Sequence, residues 1–247
     1  MTLRRWLARI GKAAQLSAHP AYRAGLRAGV GAAIEHEGAL RPLGLAAVVD
    51  VGANKGQFSL LCRALFPNAV IHAFEPLAEA AGTFRRVFRD EANVTLYRVA
   101  LGEEARTSEI HVSRQADSSS LLPITDRQEE LFPGTARVET RTVTVARGDD
   151  VLGAADLPRP LMVKLDVQGF ELSALRGMPD VLARADFVYA EISFVTLYAG
   201  QPLADAVIAY LRARGFRLAG IYNLIVGLDG ASIQADALFA RGREDGG

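Results

Sequence analysis

The sequence predicts a doubly wound α/β fold whose mostly parallel sheet is closed by an antiparallel hairpin. Three observations carry this. Short apolar runs alternate with amphipathic helical stretches from residue 45 to 101, as a parallel sheet covered on both faces requires. A glycine-rich turn, Asp50-Val-Gly-Ala-Asn-Lys-Gly56, lies between the first strand and the first helix. Near the C-terminus, FRLAGIYN and SIQADALFAR follow one another with no helical stretch between them, so they pair as a hairpin.

Residues 1–41 read as an N-terminal helical extension. Leu3, Trp6, Leu7, Ile10 and Ala14 recur at helical spacing with Arg4, Arg5, Arg9 and Lys12 between them, an amphipathic basic helix. Residues 1–41 hold seven Arg or Lys against two Glu. This helix is expected to pack on the domain or on a second subunit as a homodimer contact; peripheral contact of residues 1–16 with an anionic membrane is the alternative. Arg9 and Lys12 break what would be the apolar centre of a signal peptide. No run approaches the ~20 apolar residues of a transmembrane span. With one cysteine, Cys62, on the apolar side of a helix, the chain is expected in a reducing, cytoplasmic setting. The formal net charge of zero leaves no global basic field, so nucleic acid is not the expected partner.

Arg41-Pro42-Leu43-Gly44 ends the extension, and the main domain is expected over 42–242. LAAVVDVGA is strand one, and Phe58, Leu61, Cys62 and Leu65 mark helix one. AVIHAFEP is strand two, Leu77, Ala81, Phe84 and Phe88 mark helix two, and VTLYRVAL is strand three. Residues 103–150 change character: TSEIHVS and RVETRTVTVA alternate in the β manner around a polar loop, a β-rich insertion over the sheet edge. PLMVKLDVQG, ELSALRGM, ADFVYAEISF and LADAVIAYLRARG then resume the strand–helix order before the hairpin.

The turn after strand one is tight, and Gly52, Asn54 and Gly56 are residues that tolerate positive φ there. Missing side chains at Gly52 and Gly56 are expected to let a ligand reach the backbone. Asp50 is placed to accept from an ammonium or to order water, and Glu75 ends strand two, where an acid binds both ribose hydroxyls. The spacing is neither G-x-G-x-x-G nor a P-loop, so nicotinamide and nucleotide-triphosphate readings are disfavoured.

VVDVGANKGQFS, AFEP, VALGEE, SSSLL, TVARGDDVL, KLDVQGFELSALRG and EISFVTLYAGQP, in this order from about residue 42 to 240, resemble the FkbM family of S-adenosylmethionine-dependent methyltransferases. The resemblance implies a Rossmann-like class I methyltransferase fold with S-adenosyl-L-methionine as cofactor. It also implies O-methylation of a hydroxyl on a sugar, glycan or natural product. Asp50, Gly52, Asn54, Gly56, Phe58, Glu75 and Ala100 are then the cofactor set.

Class I folds place the acceptor beyond the carboxyl end of strand four, here Lys164-Leu-Asp166-Val-Gln-Gly169. Asp166 is the leading candidate for general base, metal ligand or acceptor-binding group, against a turn-forming carboxylate. Glu191, ending strand five, is expected over the same crevice. Lys164 is either an ion-pair partner of these acids or a substrate contact. No metal is required; were one held, Asp166 and Glu191 would supply hard oxygens suited to magnesium. His36, between Glu35 and Glu37, is a substrate-facing candidate or part of a salt-bridge cluster. Ser119, Tyr198 and Gln201 are expected around the acceptor, and the Ser118–Ser120 loop over the cofactor. N-methylation or a lipid-linked acceptor is the nearest alternative. A non-catalytic cofactor-binding domain is the reading of a different class, and the acids Glu75, Asp166 and Glu191 argue against it.

Overall fold

The computed structural model describes residues 19–242. The basic helix expected over residues 1–16 lies outside them. Seven strands form one sheet in the order β3-β2-β1-β7-β8-β10-β9. They are β1 (Ala47–Val51), β2 (Val70–Phe74), β3 (Val94–Tyr97), β7 (Leu161–Leu165), β8 (Phe187–Ser193), β9 (Phe216–Val226) and β10 (Ser232–Arg241). All neighbours run parallel except β10, which is antiparallel to both β8 and β9. The order reverses between β1 and β7, so the crevice above their carboxyl ends is the switch point where ligands bind.

Helices cover both faces. On one side α1 (Pro20–Arg27) and α3 (Gln57–Leu65) bury Tyr22, Leu60, Leu61 and Cys62 against Val48, Ile71 and Met162. His19 caps α1, its Nδ1 accepting from the Ala21 amide at 3.3 Å, and Pro20 takes the first turn, where no N–H is needed. Gly25 lets α1 close on α3: a Cβ there would stand 2.4 Å from Leu60. Of residues 20–30, Tyr22, Gly25 and Val30 are buried against the domain and most of the others are exposed. A short helical turn, α2 (Glu37–Leu40), leads into β1, and α4 (Ala78–Val87) carries Phe84 and Phe88. On the opposite face, Leu172, Leu175, Val181 and Leu211 pack against Val49, Val163, Val188 and Phe239.

The stretch read as one third strand divides in two. Val94–Tyr97 stays in the main sheet, whereas Ala100–Leu101 (β4) leaves it and pairs in parallel with β6 (Arg137–Ala146). Apolar content alone cannot show that a strand changes sheets. β6 also pairs antiparallel with β5 (Arg106–Ser113), so the insertion is a small three-stranded sheet. Within it lies a helix not read from the sequence, α5 (Asp126–Leu131), capped by the Thr125 hydroxyl. The next helix is α6 (Gly148–Leu152). After β7, the helix expected over ELSALRGM is α7 (Glu171–Arg176), and Pro179 opens a further helix not read from the sequence, α8 (Pro179–Arg184). The last helix, α9 (Ala204–Arg212), precedes the hairpin. Among the described residues no helix is long and apolar enough to cross a membrane.

Candidate active site

A cleft opens at the carboxyl ends of β1, β2 and β7. Gly52, Asn54, Glu75, Ala100, Ser119 and Asp166 are in its wall. Asp50, Gly56 and Phe58 are not. The turn gives the reason. Gly52 has φ +80°, and a Cβ there would stand 1.9 Å from the Asp166 carbonyl oxygen; Gly56 has φ +97°, and its Cβ would meet the Phe88 ring at 2.5 Å. The expectation that both missing side chains admit a ligand is corrected: at both positions protein atoms occupy the space. Gly52→Ala is expected to cost at least ~3 kcal/mol, since neither the β1 nor the β7 backbone can yield. A urea melt displaced by under ~1 kcal/mol would contradict this.

Asp50 is fully buried and meets protein groups. Its Oδ2 accepts from the Ser59 hydroxyl at 2.7 Å, and its Oδ1 lies 3.1 Å from the Lys164 ammonium. Lys164 also donates to the Gly52 carbonyl at 3.1 Å and stands 5.3 Å over the Phe58 ring. Burial alone would depress its pKa, but the charges of Asp50, Asp166 and Glu191 outweigh that and hold it above the usual lysine value. Lys164, expected as an ion-pair partner of the acids or a substrate contact, is held as an ion-pair tether between strand tips and lines neither cavity.

Glu75 is buried at the cleft floor, where its Oε2 accepts from the Asn54 amide at 2.9 Å and its Oε1 from the Leu77 amide at 2.7 Å. Burial pushes its pKa up to about 7, against the pull of those two amides. Asn54 sits at φ +48°, and its buried Oδ1 has no protein partner. A carboxylate able to take two hydroxyls and an unpaired amide oxygen fit the ribose and amine of S-adenosylmethionine.

At the tip of β7, Asp166 and Glu191 converge. Gln168, at φ +54°, donates through Nε2 to Asp166 Oδ1 and to Glu191 Oε2, both at 2.8 Å. Its Oε1 accepts from the Tyr198 hydroxyl at 2.6 Å, and its carbonyl from the Ser120 hydroxyl at 2.6 Å. Gln168 thus ties the acids to the insertion, a role with no periodic signal in the sequence. Loss of water around Glu191, with the charges of Asp166, Glu171 and Asp236 beside it, raises its pKa well above the carboxylate range. Asp166, its side chain 42% exposed and 3.8 Å from Lys164, is the open member. Among the described residues no group of three or more His, Cys, Asp or Glu could hold a metal.

A second cavity lies beside the first under the insertion, and Asp117, Asp166 and Gln168 line both. Three expected substrate contacts lie outside it. Tyr198 is fully buried, its hydroxyl spent on Gln168. Gln201 accepts from the Leu197 and Tyr198 amides at 2.9 and 3.2 Å and donates to Ser193, so the YAGQ loop is stapled to itself. His36 pairs with Asp236 at 3.3 Å and with the Tyr189 hydroxyl at 3.0 Å, a half-buried cluster against β10 and not with the neighbouring glutamates alone. Ser119 does face the cofactor cleft, its Oγ accepting from the Ser113 amide at 3.1 Å.

This strand order, with one acid at the tip of β2 and two more at the tips of β7 and β8, defines a class I methyltransferase architecture. The methyltransferase FkbM domain matches residues 50–218, and the chain belongs to this family of S-adenosylmethionine-dependent methyltransferases. The hexuronic acid methyltransferase AglP of Haloferax volcanii is 31% identical over 58% of this chain and 54% of its own length. Methyltransferase 1 of Beauveria bassiana is 30% identical over 54% of this chain and 58% of its own. The AMB antimetabolite synthetase AmbE of Pseudomonas aeruginosa is 28% identical over 70% of this chain and 10% of its own. The chain thus spans little more than half of two of these relatives and a tenth of the third.

Proposed function

We propose that this chain transfers the methyl group of S-adenosylmethionine to a hydroxyl of a sugar or other small acceptor. The observation that carries the reading is the Asp166–Glu191 pair, set where the cofactor cleft meets the second cavity. When bound, S-adenosylmethionine supplies an electrophilic methyl on a sulfonium. Glu75 and Asn54 hold its polar groups, and the stapled insertion loop, with Ser119, closes one wall. Burial and the neighbouring acids favour the protonated form of Glu191, and the more open Asp166 accepts the acceptor's hydroxyl proton, while Gln168 holds both carboxyls in place. The sugar acceptor is supported by the hexuronic acid named for the archaeal relative.

Isothermal titration with S-adenosylhomocysteine followed by a labelled-methyl screen of sugars and alcohols tests the reading. Binding without transfer to any hydroxyl would refute it, and transfer to amines alone would favour N-methylation. Binding should also depend on pH. Ribose hydroxyls donate best to ionised Glu75, whose pKa near 7 means it loses charge below neutrality. Affinity is therefore expected to fall about tenfold from pH 8 to 6, and Glu75→Gln to flatten the profile. An unchanged slope in that variant would remove Glu75 from the binding step.

A further inference from the structure

The second cavity is walled by three carboxyl groups, Asp117, Asp166 and Glu191, and by the amides of Gln115, Gln128, Gln168 and Gln234. Among the described residues no lysine, arginine or histidine lines it. The Lys164 ammonium is 3.8 Å from Asp166 but is held behind the wall by Asp50 and the Gly52 carbonyl. An independent observation points to a ligand. Gln128 is 3% exposed, lines this cavity, and its Oε1 has no hydrogen-bond partner. Buried amide oxygens are almost always paired, because leaving one unpaired costs its full desolvation.

What would complete this wall is a donor. Hydroxyls and ammonium groups donate to amide and carboxylate oxygens, whereas an ionised carboxylate only accepts. An anionic acceptor would also bring like charge against Asp117 and Asp166, which disfavours its binding. Phe132 adds one apolar patch for the C–H face of a ring. Resting on the methyl-transfer reading above, we infer that this cavity takes a polyhydroxylated acceptor without negative charge, a neutral or amino sugar, and refuses the matching uronate.

The test uses the full chain, labelled S-adenosylmethionine and three methyl hexopyranosides of one configuration: the neutral sugar, its 2-amino-2-deoxy analogue and its uronate. The neutral or amino sugar is expected to exceed the uronate in kcat/KM by at least about tenfold. Methyl transfer to the uronate at equal or higher efficiency would overturn the inference and leave the O-methyltransferase reading standing. S-adenosylhomocysteine binding with no transfer to any of the three would overturn the inference, and only failure across the wider hydroxyl screen would remove the O-methyltransferase reading as well. Gln128→Met is expected to raise KM for the preferred sugar roughly three- to tenfold with kcat unchanged. Retained S-adenosylhomocysteine binding shows that this variant is folded, and an unchanged KM in it would overturn the donor-seeking role of Gln128.

Discussion

Asp166→Asn is expected to lower kcat by about 10²- to 10⁴-fold while S-adenosylhomocysteine affinity stays near that of the parent chain. The substitution preserves size, and the remaining carbonyl oxygen still accepts from Gln168 Nε2, which bonds Asp166 at 2.8 Å. What is lost is the only one of the two converging acids free to take a proton. Glu191 is already driven toward its neutral form by burial and by Asp166, Glu171 and Asp236. It cannot substitute without first giving up a proton in an acidic surround. Single-turnover measurements with labelled cofactor separate the chemical step from release. A turnover within about threefold of the parent would exclude Asp166 as base.

Lys164→Met is expected to be the most destabilising of the charge deletions, by about 3–5 kcal/mol. Asp50 is fully buried, and without the ammonium at 3.1 Å it retains only the Ser59 hydroxyl as its side-chain partner. For a domain of this size the loss corresponds to a Tm drop on the order of 10 °C. Adding Asp50→Asn in the same chain is expected to restore most of it, because the uncompensated charge disappears together with its partner. A double variant no more stable than Lys164→Met would show that the tether contributes through packing on Phe58 and not through charge. The two experiments separate two residues at the end of β7: Asp166 is expected to govern rate and Lys164 stability.

Much of the fold was legible from residues 45–101 and 161–241, since apolar runs and helical spacing record which faces are buried. β1, α3, β2 and α4 follow the pattern closely, as does the β9–β10 hairpin. The pattern failed where an element changes partners without changing character. Val94–Leu101 is evenly apolar, yet Arg98-Val99 turns it out of one sheet and into another. It failed also at α5, a helix of six residues too short to show a period.

The cofactor side was more readable than the acceptor side for the same reason. Asn54 lies in the glycine-rich turn and Glu75 at the tip of the adjacent strand, 21 residues on, so the strand–turn–helix–strand pattern itself brings the two together. Tyr198 and Gln201 share the loop expected near the acceptor, but their orientation depends on Gln168 and Ser193, 30 and 8 residues away in the chain. Sequence proximity to a site says nothing of which face of a loop is inward. Gln128, Gln168 and Gln234 reach the second cavity from three different elements, and an isolated glutamine carries no signal of its own.

By itself, then, the sequence determined the doubly wound sheet, its antiparallel finish, the position of the cofactor turn and the family. These depend on periodicity, on backbone conformations that few residues tolerate, and on motif order, all of which are local. Only the tertiary structure decided that Gly52 yields its space to β7, that Lys164 is held by Asp50, and that Gln168 joins Asp166 to Glu191. Each is a contact between strands or loops far apart in the chain, made when β7 inserts beside β1. The lining of the second cavity is of that second kind, because it is assembled by an insertion folding over a sheet from which its residues are distant in sequence.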